Sequence, residues 1–84
     1  MTAKKYELDI SGDRYAGAPL QIVKAMQDKA FFDQALPLET YLDSLPEQLK
    51  KFQNVDITIA GSTLEERAES FIAELLRVGV AVEV

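Results

Sequence analysis

Apolar and polar positions alternate at three places in the chain. Tyr6, Leu8 and Ile10 stand against Lys5, Glu7 and Asp9; Val55, Ile57 and Ile59 against Asp56 and Thr58; and Val80, Val82 and Val84 flank Glu83. A period of two predicts strands with one buried face. Ser11-Gly12-Asp13 is turn chemistry, and Arg14-Tyr15-Ala16-Gly17 after it is short enough to run back as a hairpin partner, with Gly12 supplying a positive φ.

Between these segments the period changes to 3.6. Leu64, Ala68, Phe71, Ile72, Leu75 and Leu76 form one helical face behind Thr63-Leu64-Glu65-Glu66, a capping box, and Gly79 is placed to end that helix. Pro19 opens an earlier helix whose stripe is Leu20, Ile22, Val23, Met26 and Ala30, closed by Phe31-Phe32. Leu38, Tyr41, Leu42, Leu45, Leu49 and Phe52 keep the same spacing, but Pro46 interrupts them. An interior proline removes a backbone bond and crowds the preceding turn, so two short helices are expected, Leu38 to Ser44 and Leu45 to Gln53.

The resulting order is β-β-α-α-β-α-β, the second α being this helix pair, in a single domain spanning residues 1–84. The last strand, helix and strand predict a C-terminal βαβ unit with a right-handed crossover and two parallel neighbouring strands. Strands that are polar on one side call for helices on one face only. The expected fold class is therefore α+β, a two-layer mixed sheet with helices on one face.

Composition narrows the chemistry. With 84 residues and 48% hydrophobic content the chain has one core, and a total stability of roughly 4–12 kcal/mol is expected. It has no cysteine, hence no disulfide framework or thiol nucleophile, and no histidine, the commonest general base and transition-metal ligand. A net charge of −5 repels phosphate backbones and anionic membrane surfaces, so neither nucleic acid nor membrane is an expected partner. No apolar run resembles a signal peptide or a membrane span, which makes the cytoplasm the expected compartment.

Individual motifs read as structure. Glu65, Glu66, Glu69 and Glu74 fit a solvated helix face with acids in its first turn. Asp9 to Asp13 lacks the spacing of a calcium loop, and Gly61-Ser62-Thr63 lacks both phosphate-binding glycine signatures, so a hairpin turn and a plain helix cap are expected. Lys50-Lys51 suits a helix C-terminus. No catalytic, cofactor-binding or metal-ligating residue is assigned, and no cofactor is implied.

Aromatic residues give the one residue-level pointer to a binding role. Tyr6 and Tyr41 suit the core, but consecutive aromatics at one helix end do not both point inward, which makes Phe31 and Phe32 the candidate interaction surface. The expectation is a non-enzymatic protein–protein interaction or regulatory accessory module, its partner being an unidentified protein or a second copy. A homodimer is expected to use that corner or the Val80 to Val84 edge, because Glu7, Asp9, Asp56, Thr58 and Glu83 would make the open sheet face polar and negative. The alternative is a small-molecule or divalent-metal site using carboxylates only, at Asp9, Asp13 and Asp56.

Two segments carry a resemblance. Tyr15-Ala16-Gly17-Ala18-Pro19 running into Ile22-Val23-Lys24-Ala25-Met26, and Gly61 through Ala68 running to Gly79, resemble small uncharacterised bacterial proteins of a domain-of-unknown-function type, some carried on phage or mobile elements. The resemblance covers about half the chain and implies a small accessory protein, with no site residues to carry over.

Overall fold

Ser11 and Gly12 both take positive φ, 54° and 93°, the geometry of a two-residue turn whose twist matches that of antiparallel strands. The Gly12 N–H donates to Asp9 Oδ1 at 3.0 Å and closes the turn. It joins β1 (Tyr6–Ile10) to β2 (Asp13–Gly17) in the computed structural model of the chain, which describes residues 5–29 and 36–84. The expected hairpin forms in full, from Tyr6 opposite Gly17 to Ile10 opposite Asp13.

Among the described residues three helices follow, α1 (Pro19–Lys29), α2 (Leu38–Gln53) and α3 (Leu64–Val78), and then β3 (Ala81–Glu83). The fold is α+β, as the alternation and the helical stripes predict. The sheet has the order β2-β1-β3, and every pairing in it is antiparallel. Leu8, Ile10, Tyr15 and Ala81 line its inner face and join Ile22, Val23, Tyr41, Leu42, Leu45, Ile57, Ala68, Phe71, Ile72 and Leu75 in one core. Glu7, Arg14, Ala16 and Val82 are exposed on the outer face, so the helices do cover one side only.

The βαβ expectation is corrected. Residues 55–59 form no strand and have no parallel neighbour; β3 pairs with β1 instead, Ile10 opposite Ala81. Val55, Ile57 and Ile59 nevertheless alternate in burial with Asp56 and Thr58, because the segment lies along α3 as a strap. Thr58 N–H donates to Glu74 Oε1 at 3.0 Å, Ala60 N–H to Ser70 Oγ at 3.0 Å, and Arg77 Nη2 to the Asp56 carbonyl at 2.9 Å. Period-two burial reports one covered side; it does not report whether backbone or side chains satisfy the hydrogen bonds.

The facing of β3 is corrected as well. Ala81 points inward at 2% exposure, whereas Val82 and Val84 are 58% and 56% exposed. Pairing Ala81 with the inward Ile10 sets this parity, since residues directly opposite share a face and a one-residue shift inverts every side chain.

Pro46 does not divide the middle helix in two; it lies inside the single 16-residue α2. Tyr41, Leu42 and Leu45 before and at the proline share the face that Leu49 continues after it, so packing holds both halves in line against the cost of one lost backbone bond. Ser44 Oγ donates to the Tyr41 carbonyl at 2.7 Å and accepts from Gln48 Nε2 at 3.0 Å, bracing the turn around it.

Around α3 the sequence reading holds in detail. Thr63 Oγ1 accepts from Glu66 N–H at 3.1 Å, Glu66 Oε1 accepts from the Thr63 N–H, and Gly79 ends the helix at φ 84°. Arg67 then ties α3 to α2 through Asp43 and, at 3.8 Å, Glu39.

Candidate functional site

The apolar face of α2 outlasts the core beneath it. Leu42 is fully buried, Leu45 is 4% exposed, Leu49 is only partly covered, and Phe52, at the next position of the same stripe, is 74% exposed. Phe52 is thus an aromatic on an amphipathic face with nothing packed over most of it. The helical spacing carries on to Phe52, but the core does not reach it: Leu49, one turn earlier, is already only partly buried. The polar neighbours Lys50, Lys51 and Gln53 were the available signal.

Charge gathers at the same end. Lys51 Nζ lies 5.7 Å from the centroid of the Phe52 ring, and Lys50 Nζ meets Asp56 Oδ1 at 2.8 Å. That hydrogen bond and the adjacent charge raise the Lys50 pKa above its ordinary value. Asn54, in the left-handed conformation at φ 56°, ends the helix and turns the chain into the strap.

Among the described residues the strap's anchor holds a strongly perturbed carboxylate. Arg77 grips Glu74 through Nε at 2.7 Å and Nη2 at 3.1 Å. Those charge-assisted bonds, with the Thr58 N–H adding a third, hold the Glu74 carboxyl down at about 2 and raise the Arg77 pKa. These groups are fully committed to fixing the strap, which makes them structural.

The remaining candidates are dispersed. Phe31 and Phe32 lie outside the described residues. Asp9 caps the hairpin turn, Asp13 pairs with Lys29 at 3.6 Å, and Asp56 pairs with Lys50, so the three carboxylates each have a separate local partner. No three His, Cys, Asp or Glu side chains among the described residues are grouped as metal ligands. At the N-terminus of α3 the Ser62 and Thr63 N–H groups both donate to Glu66 Oε1, so the chain's own carboxylate takes the place an anion would occupy. Tyr15 and Tyr41 are buried, Tyr15 beneath Lys29, whose Nζ is 4.7 Å from its ring centroid.

Sequence reasoning also passed over Gln27. It is buried at 7% exposure on α1 and donates to the Leu36 carbonyl at 2.6 Å, tying α1 to the approach to α2. No helix among the described residues is long and apolar enough to cross a membrane.

Comparison with known proteins leaves the reading to the chain itself. No protein-family model, no curated protein and no solved structure matches it.

Proposed function

We propose that the chain is a non-enzymatic interaction module, a cytoplasmic accessory protein that acts by contacting another protein. The observation that supports this most is Phe52, 74% exposed on a stripe whose earlier members are core residues. Aromatic side chains release much apolar surface from water at low entropic cost and dominate the energetics of protein interfaces. With Lys51 beside it, the corner suits a partner offering an apolar pocket rimmed by acidic groups.

The test replaces Phe52 with a photo-crosslinking amino acid, with the same replacement at exposed Glu69 as the control. A discrete crosslinked partner at position 52 that is absent at position 69, and that Phe52→Glu protein fails to bind while melting at the wild-type temperature, supports the reading. Loss of folding in Phe52→Glu, or identical crosslinks at both positions, overturns it.

A further inference from the structure

The strap is an extended segment with one backbone edge used and the other open. Backbone groups of successive residues in an extended chain point to opposite sides. The Asp56 carbonyl and the Thr58 and Ala60 N–H groups are taken by side chains of α3, so those of Val55, Ile57 and Ile59 face away from it. Among the described residues the backbone groups of Ile57 and Ile59 form no hydrogen bond. Val-Asp-Ile-Thr-Ile is at the same time the most strand-prone run of five in the chain. A β-prone strand with a vacant ladder edge is a template for pairing with another chain.

We infer that this edge pairs with the same edge of a second copy, antiparallel and centred on Ile57. The open groups permit Ile57 opposite its counterpart and Val55 opposite Ile59 as hydrogen-bonded pairs. The apolar–polar pattern about Ile57 reads alike in both directions, so apolar side chains meet apolar ones. Asp56 then falls opposite Thr58 of the second copy, so no like charges are directly opposed, and Lys50 already neutralises Asp56 at 2.8 Å. The β3 edge is a poorer choice, with three residues against five. A ladder of this length buries less area than a stable dimer needs, and two chains of net charge −5 repel, so the association is weak and strengthens with salt.

The inference is independent of Phe52 and is read at Thr58, whose exposed side chain leaves its N–H bond to Glu74 untouched on substitution. Thr58→Lys sets a cation opposite the second copy's aspartate and Thr58→Asp sets an anion there, each twice by symmetry. Association measured by sedimentation up to about 1 mM protein should tighten for Lys and weaken for Asp, by roughly 2- to 30-fold each way. In wild-type protein the Ile57 and Ile59 amides should gain protection from hydrogen exchange as concentration rises, while those of Thr58 and Ala60 do not change. A monomer at the highest concentration in both wild type and Thr58→Lys overturns the inference. So do equal effects of the two variants, or exchange at Ile57 and Ile59 that ignores concentration.

Discussion

Gly61→Ala tests the join between the strap and α3. Gly61 has φ +134°, in a region that L side chains rarely adopt, and an added Cβ would lie 2.7 Å from Glu66 Cβ and 3.0 Å from the Arg67 backbone nitrogen. The backbone strain costs about 1–3 kcal/mol. Neither neighbour is the loose end of a side chain. Glu66 must therefore shift, and its carboxylate holds the Ser62 and Thr63 N–H groups at 2.8 and 3.2 Å, so a damaged cap costs about 0.5–2 kcal/mol more. Alanine also reduces the freedom of the unfolded chain, which returns about 0.4–1 kcal/mol. The net expectation is a destabilisation of about 1–4 kcal/mol against a total of roughly 4–12 kcal/mol. Urea unfolding followed by far-UV circular dichroism should show a lower midpoint at unchanged slope. A D-alanine at position 61, introduced by chemical synthesis, accepts positive φ and carries its methyl on the opposite side of the backbone, so it should recover most of the loss. A Gly61→Ala midpoint equivalent to less than about 0.5 kcal/mol, or a D-alanine protein no better than the L-alanine one, would refute the argument.

Two further outcomes follow from the core and from the strap's anchor. Leu75 is fully buried, so Leu75→Ala should cost about 2–5 kcal/mol through lost transfer energy and the cavity left behind; a calorimetric or urea measurement giving less than about 1 kcal/mol would show that the site collapses around the gap. Glu74 has a folded pKa of about 2, below its ordinary 4.5, so it binds its proton more readily unfolded than folded. Its contribution is complete above about pH 4.5 and is lost as pH falls toward 2; the protection of the Thr58 amide, its exchange rate compared with that of the unstructured chain at the same pH, should fall across that window in wild type and show no such step in Glu74→Gln.

Local signals determined much of this protein. The capping box at Thr63 and Glu66, the αL glycine at Gly79, the Ser11-Gly12 turn and the alternation of β1 depend on residues within a few positions of one another, and each appears where the sequence places it. The α+β class follows from the same patterns. Tertiary structure decided the rest. Whether Val55 to Ile59 joins the sheet depends on where its backbone finds partners, and Glu74, Ser70 and Arg77, 10 to 21 positions away, supply them. Which face Val82 takes depends on the register Ala81 adopts against Ile10, about 70 positions earlier in the chain. Pro46 stays helical because both halves of α2 share one packed face. Phe52 is exposed because the core ends before the helix does. Periodicity specifies which side of an element is apolar, and only the assembled neighbours determine how far along that side the cover extends.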